Sequence, residues 1–407
     1  MKPAMSSTQL AIDGGTPVRL TPFNPWPHLS AEDLAAADRV LRSGKINYWT
    51  GDEGTRFEAE YAHSVGTKHA VALANGTVAL ELALRVLGVG PGDEVITTSR
   101  TFVASASCSV AVGATPVTAD VDRNSGNLTA ETILPLINAR TKALVAVHLA
   151  GWPCEMDSIL KLASEHGIAV IEDCAQAHGA TYKNRPVGSM GIVNAFSFCQ
   201  DKIITTAGEG GLITLNDDAM FKQAWAHKDH GKSHDAVFNR KHPAGFRWLH
   251  ESFGTNFRLT EVQSAMGRTM LARLPEMVER RRSNAQTLID ELSQIPSLRV
   301  PVPGEELRHA YYKFYAYVRP EMLRDGWDRD RIVAAIAAEG IPCMTGSCSE
   351  IYLEKAFTAS LRPKQRYPVA RELGETSLMF LVHPTLDRHD MEDTVAAVAK
   401  VMAAAAK

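Results

Sequence analysis

The sequence predicts an α/β fold, with a large domain built on a mostly parallel sheet and a smaller C-terminal α+β domain. Between about residues 55 and 215, short continuous apolar runs alternate with helical stretches, the pattern of strands covered by helices on both faces. Beyond Pro301 the pattern changes, and Tyr311–Val318 (YYKFYAYV) alternates as a half-exposed strand would. At 407 residues the chain is also long enough to bury one large core and a smaller one.

His69–Leu73 (HAVAL) reads as the first strand and Val78–Leu87 (VALELALRVL) as its helix. DEVITT, ending at Thr98, is the next strand, followed by a helix of small residues from Ala104 to Val112. Ala143–His148, Ile168–Asp173, Ala195–Phe198 and Leu212–Leu215 are further apolar runs of strand length. In sheets of this kind ligands sit beyond the carboxyl ends of the strands, where Asp173 and Thr98–Phe102 fall. A charged helix spans Thr260–Leu292, and its Arg280, Arg281 and Arg282 read as a solvated basic face. Arg329–Glu339 is helical, and Asp390–Lys407 forms a terminal helix. The expected division is a large domain over residues 1–284, whose residues 1–30 form an N-terminal arm, and a small domain over 285–407.

Apolar residues at 45% and charged residues at 22% place the chain among ordinary soluble globular proteins. A formal net charge of -3 offers no electrostatic case for nucleic acid or an anionic membrane surface. No apolar run is long enough to span a membrane, and the opening MKPAMSSTQLAIDGG lacks the apolar core of a signal peptide. A cytoplasmic location is therefore expected. The 6 cysteines form no CxxC pair and no disulfide framework.

The most informative stretch is Ile171–Gly211, IEDCAQAHGATYKNRPVGSMGIVNAFSFCQDKIITTAGEGG. Asp173 closes a buried strand, where an ionised acid needs a partner because desolvation otherwise drives it neutral. Lys202 lies between aromatic and apolar residues, just before a glycine-rich turn. Burial there makes a lysine amine a usable nucleophile and base. One carboxylate and one amine from neighbouring strand ends are what pyridoxal 5'-phosphate needs. The lysine holds the cofactor as an imine and the acid keeps the ring nitrogen protonated. A salt bridge or helix cap at Asp173 and a loop lysine at 202 are the plainer alternatives. Gln176 can donate to a phenolate oxygen, and Ser197 can offer its hydroxyl to a phosphate. Asn75-Gly76-Thr77 precedes a helix, whose free N–H groups accept an anion, although the tripeptide is also an ordinary turn and cap. Phe102 can stack on a flat heterocycle or fill the core. His227, His230, His234, His242 and His250 crowd one segment, but Gly231 and the surrounding polar residues favour a loop over a metal site.

With these residues in view, almost the whole chain resembles the DegT/DnrJ/StrS aminotransferases, which share the aspartate aminotransferase fold (fold type I of the pyridoxal phosphate enzymes). GKINYWTGDEGTRFEAEYA, ALANGTVALELAL, VGPGDEVITTSRTFVAS, VIEDCAQAHGA, FSFCQDKIITTAGEGG, FGTNFRLTEVQSAMG and SLMFLVHPTLDRHDME carry the resemblance. It implies a seven-stranded-type sheet. It also implies that Lys202 forms the covalent link, Asp173 pairs with the pyridine nitrogen, Gln176 reaches the ring hydroxyl and Phe102 stacks on the ring. Gly76, Thr77 and Ser197 would hold the phosphate. Asn256 matches an asparagine that reaches the phosphate of the neighbouring subunit's cofactor, which implies a homodimer with two shared sites. Relatives with histidine in place of the lysine dehydrate, so Lys202 implies amino transfer.

The expected activity is transfer of an amino group from L-glutamate to a keto-sugar nucleotide, in amino-sugar or surface-glycan synthesis such as that of lipopolysaccharide. The cofactor would cycle between its pyridoxal and pyridoxamine forms. The cationic Lys228, Lys232, Arg240 and Lys241 suit an acidic nucleotide. The opening IDGGTPVR...PWP also resembles members acting on cyclitols, which keeps a glutamine-dependent keto-cyclitol aminotransferase as an alternative. A non-catalytic regulatory protein that binds the same cofactor is an alternative of another class, and a structural scaffold on the same fold is a third. The family's substrate-bordering segment departs from its usual form at Pro342–Phe357 (PCMTGSCSEIYLEKAF), so acceptor choice is expected to reside there.

Overall fold

The computed structural model describes residues 9–407. The first residues of the expected arm, 1–8, lie outside the described residues. The strands are β1 (His69–Leu73), β2 (Glu94–Thr98), β3 (Thr115–Ala119), β4 (Thr141–Val147), β5 (Ala169–Asp173), β6 (Thr181–Tyr182) and β7 (Arg185–Pro186). They continue as β8 (Val193–Ser197), β9 (Gly211–Leu215), β10 (Leu298–Arg299), β11 (Leu307–Arg308), β12 (Phe314–Val318), β13 (Cys343–Met344) and β14 (Ser377–Phe380). The α-helices are α1 (Ala31–Ser43), α2 (Glu53–Val65), α3 (Gly76–Val86), α4 (Ala104–Ala111), α5 (Ala130–Ile133) and α6 (Met156–His166). After them come α7 (Asp218–Lys228), α8 (His234–Phe238), α9 (Glu261–Leu292), α10 (Arg329–Ala338), α11 (Pro368–Thr376) and α12 (Arg388–Ala405).

The 7-stranded sheet has the order β1-β9-β8-β5-β4-β2-β3. β9 runs antiparallel to its neighbours β1 and β8, and the remaining pairs are parallel. Successive side chains of a strand point to opposite faces, so β1 divides its apolar residues between two cores. Val71 and Leu73 join Ala79, Leu82 and Leu84 of α3 and Ala224 of α7, while Ala70 and Ala72 join Phe57 and Tyr61 of α2 and Met270 of α9. Burial on both faces is why the strands read as continuous apolar runs.

β3 lay outside the strands read from sequence. Proline removes a ladder donor and is confined to edges, and Pro116 does sit on the edge strand of this sheet. β12 also differs from expectation. It starts at Phe314, because Tyr311 takes a left-handed backbone with φ of 47° and turns the chain before the strand begins. Nor is it half-exposed. Phe314, Ala316 and Val318 enter the C-terminal core, and on the other face Tyr317 is covered by the guanidinium of Arg299, 4.3 Å from its ring centre.

α9 is continuous through residue 284. Met270, Leu274, Met277 and Val278 pack into the core of the large sheet, whereas Ala285, Leu288, Ile289 and Leu292 pack against β12, β14, α10 and α12. The expected solvated arginine face is corrected at one position, because Arg281 is only 1% exposed. Its guanidinium donates to the backbone carbonyls of Tyr311 and Tyr312 and lies 5.0 Å from the ring centre of Trp26. The segment before α1 crosses the C-terminal unit. Ala11 and Val18 donate backbone N–H groups to the Glu339 carboxylate, and Arg19 bridges to Asp390 and Asp393 at 2.9 and 2.8 Å. Among the described residues no helix is long and apolar enough to cross a membrane.

Candidate active site

The carboxyl ends of β1, β2, β5 and β8 open onto a cavity of about 600 Å³. Asn75, Gly76, Thr77, Phe102, Ser105, Asp173, Gln176, Ser197, Asp201 and Lys202 line it. Seven of the eight residues singled out from sequence therefore face one space; Asn256 is absent from that lining. It is exposed, and its side-chain oxygen accepts from the Arg258 N–H at 3.3 Å.

Each side chain is positioned by its element. Asn75 caps α3 by accepting from Val78 N–H at 3.0 Å, which leaves the N–H groups at Gly76 and Thr77 at the open, partially positive end of the helix. Gly76 is required by crowding. A Cβ there would lie 2.5 Å from Cβ of Ser197, and at Gly211 a Cβ would collide with the Asn75 carbonyl. Asp173, the last residue of β5, is buried, and one carboxylate oxygen accepts from the Ser105 hydroxyl at 2.8 Å while the other accepts from Ala175 N–H at 3.2 Å. Desolvation pushes its pKa above the usual carboxylate range, against the opposing pull of Ser105, Ala175 and Lys202. Gln176 accepts from Ala150 N–H at 2.7 Å through Oε1, so its Nε2 hydrogens are free to donate into the cavity. Phe102 is 68% exposed and forms a wall of the cavity, which removes the core-phenylalanine alternative.

Lys202 sits on the turn after β8. Its backbone carbonyl accepts from the Trp26 indole N–H at 2.9 Å. Nζ lies 3.4 Å from Asp201 Oδ1 and donates to the Tyr312 hydroxyl at 3.4 Å. A second cavity of about 670 Å³ adjoins the first at Phe102, Gln176, Asp201 and Lys202. Gly346, Ser347, Cys348, Ile351, Glu354 and Ala356 border it, so the divergent Pro342–Phe357 segment lies beside the site.

The sequence profile of the DegT/DnrJ/EryC1/StrS aminotransferase family matches residues 27–399. The chain belongs to this family. Aminotransferases of the family depend on pyridoxal phosphate. The spore coat polysaccharide biosynthesis protein SpsC of Bacillus subtilis is 34% identical over 385 residues, covering 93% of this chain and 97% of that protein. The dTDP-3-amino-3,4,6-trideoxy-alpha-D-glucose transaminase of Streptomyces venezuelae is 35% identical over 363 residues, covering 89% of this chain and 90% of that enzyme. The X-ray structure of an aminotransferase from Psychrobacter cryohalolentis matches with a TM-score of 0.93 at 52% identity, covering 94% of this chain and 99% of that one.

The cavity of this aminotransferase suits a flat, phosphorylated, N-protonated ring. A buried carboxylate raised in pKa gains from a cationic N–H donor, and a helix start crowded against Ser197 leaves backbone close enough to grip a phosphate. Several residues escaped sequence reasoning. Ser105, in the first turn of α4, ends the stretch that carries Phe102, and nothing but its small size marks it there. Tyr312 and Trp26 reach Lys202 from distant parts of the chain, and Asp201 meets it as its immediate neighbour in sequence. Three of the four loop cations expected to suit a nucleotide, Lys241 being the fourth, are taken up by acidic partners. Lys228 is buried against Glu58 at 2.9 Å, Lys232 pairs with Asp229 at 3.0 Å, and Arg240 pairs with Glu251 at 2.7 Å. The histidines around 227–250 do not gather. His234 packs edge-on against Trp225 and His242 meets the Ala236 carbonyl. The one metal-like cluster among the described residues is His148, Glu172 and Cys174, and Glu172 there is taken up by His148 and the N–H groups of Gly188, Met190 and Gly191.

Proposed function

We propose that this aminotransferase binds pyridoxal phosphate through Lys202 and transfers an amino group from L-glutamate to a keto-sugar nucleotide. Convergence of Lys202, Asp173 and the start of α3 on one cavity carries this reading. The names of the Streptomyces and Bacillus relatives support a nucleotide-linked sugar and a surface polysaccharide as its setting. We assign Asn256 to the cofactor phosphate of a second copy, so that a homodimer forms two shared sites, and we place the domain division at residue 284. The enzyme works in the cytoplasm.

When bound, the cofactor supplies an electron sink for the carbon that loses or gains the amino group. Asp173 holds the proton on the ring nitrogen, and Gln176 Nε2 donates to the ring hydroxyl oxygen. The N–H groups at Gly76 and Thr77, with the hydroxyls of Thr77 and Ser197, bind the phosphate. Phe102 covers one ring face and excludes water. Lys202 Nζ would take the proton from the donor α-carbon and give it to the cofactor carbon that bears the amino nitrogen, and in the second half-reaction would move a proton the opposite way to the acceptor carbon, base and then acid in each half.

Borohydride reduction of the cofactor-loaded protein followed by peptide mass spectrometry is expected to find the pyridoxyl adduct on Lys202. An adduct on another lysine, or none, overturns the assignment. Coupled assays with glutamate and glutamine against a keto-sugar nucleotide and a keto-cyclitol test the substrates. Turnover of the cyclitol alone rejects the sugar, and cofactor binding without turnover of either selects the regulatory reading.

A further inference from the structure

Asp201 stands where three cavities meet: the cofactor-sized chamber, the adjoining one at Ser347, and a third of about 580 Å³ beneath the Arg19–Trp26 segment. Its carboxylate accepts from the Tyr312 hydroxyl and lies 3.4 Å from Lys202 Nζ. The same ammonium donates to the Tyr312 oxygen at 3.4 Å and sits 5.0 Å from the centre of that ring. Tyr312 has one proton, committed to Asp201, so a lone pair is left for the lysine. Desolvation and the Asp201 charge push the phenol well above its ordinary pKa, which keeps it neutral. Desolvation works against the charge on Asp201, but Lys202, the Tyr312 hydroxyl and Lys313 outweigh it and hold the carboxyl below its usual range. The left-handed turn at Tyr311 is what swings Tyr312 away from β12 towards Lys202.

None of these contacts is needed to grip a phosphate or a ring. We propose that Asp201 and Tyr312 form the resting site of the Lys202 amine, filled whenever that amine is not bonded to the cofactor. The inference rests on Lys202 being the cofactor lysine. An ammonium carries three N–H donors and serves both Asp201 and Tyr312, whereas an imine nitrogen carries at most one and cannot serve both. The pair therefore favours the aminated cofactor, in which Lys202 is free, over the aldehyde form, in which it is bonded. Asp201 and Tyr312 are positioning residues, because they act through Lys202.

The test is to titrate the cofactor-free wild type, Asp201→Asn, Asp201→Glu and Tyr312→Phe with pyridoxamine phosphate and, separately, pyridoxal phosphate, following tryptophan fluorescence. Asp201→Asn is expected to leave pyridoxamine phosphate near its wild-type affinity and to tighten pyridoxal phosphate about fivefold, the scale of a half-exposed ion pair, because only imine formation empties the resting site. Tyr312→Phe should shift the ratio in the same direction and by less, and Asp201→Glu should restore part of it. A ratio unchanged in both Asp201→Asn and Tyr312→Phe, or an equal loss for both ligands, overturns the resting site. Borohydride trapping of the wild type runs in parallel. An adduct on Lys202 with an unchanged ratio refutes this inference alone, whereas no adduct on Lys202 refutes the cofactor reading and the inference with it.

Discussion

Replacing Gly76 by alanine probes the junction on which phosphate binding depends. The added Cβ would lie 2.5 Å from Ser197 Cβ, 3.0 Å from its Oγ and 3.2 Å from its Cα. Carbon atoms in contact prefer about 3.5–4.0 Å, so α3 and the end of β8 must part by about 1 Å. Neither side yields readily, because Ser197 is held in register opposite Gly211 and Asn75 caps the helix. Overpacking of this kind costs about 1–3 kcal/mol, offset by up to ~1 kcal/mol from replacing a helical glycine. The effect on binding is larger, since the parted N–H groups and the Ser197 hydroxyl can no longer meet one phosphate together. Loss of a hydrogen bond to a charged group, about 1.5–3 kcal/mol, weakens the cofactor roughly 10- to 150-fold. Gly76→Ala protein freed of cofactor should be titrated with pyridoxal phosphate by fluorescence, with thermal unfolding measured on the same preparation. Gly304→Ala is the control, because nothing lies within 4 Å of the Cβ it would add. Wild-type affinity in Gly76→Ala refutes phosphate binding at this junction.

Asp173→Asn should keep the cofactor yet lose turnover by on the order of 10²–10³-fold, and unchanged turnover in a single-turnover assay removes its role. In the cofactor-free protein, desolvation raises Asp173 above its unfolded value, so its contribution to stability is full below that value and is lost as pH rises through the folded pKa. Cofactor-free Asp173→Asn should accordingly gain stability relative to wild type as pH rises above about 4, the ordinary aspartate value, and a constant difference in Tm contradicts the raised pKa. Lys228→Met strands the partly buried Glu58 carboxylate and should cost about 3–5 kcal/mol in urea unfolding. An unchanged midpoint with weakened nucleotide-sugar binding would return Lys228 to a substrate role. Ser105→Ala removes the hydroxyl that pulls Asp173 down, so its carboxyl should rise further, seen as a higher apparent pKa in the cofactor-free protein.

Strand ends were legible because a parallel sheet buried on both faces writes itself as apolar runs, and Asp173, Thr98 and Ser197 mark where those runs stop. Every motif that sits at such an end, from Asn75 to Lys202, lines the same cavity. What pattern reading misses is contact set by long-range packing. Arg281 reads as a solvated charge, since nothing local reveals that Trp26 will cover it. Lys228 reads as a free cation, since its partner Glu58 comes from α2, far away in the sequence. Tyr312 reads as a strand residue, because only the backbone at Tyr311 shows that the chain has turned.

The segment that precedes α1 has a consequence for how the protein is made. Trp26 steadies the backbone of Lys202, yet the anchors of its segment are Glu339, Asp390 and Asp393, far along the chain. A ribosome delivers residues from the amino end, so the anchors emerge last, long after the sheet has been synthesised. The turn bearing the amine thus gains its final brace only when α12 has been made. A nascent chain that has not yet reached α12 carries that amine on an unbraced turn.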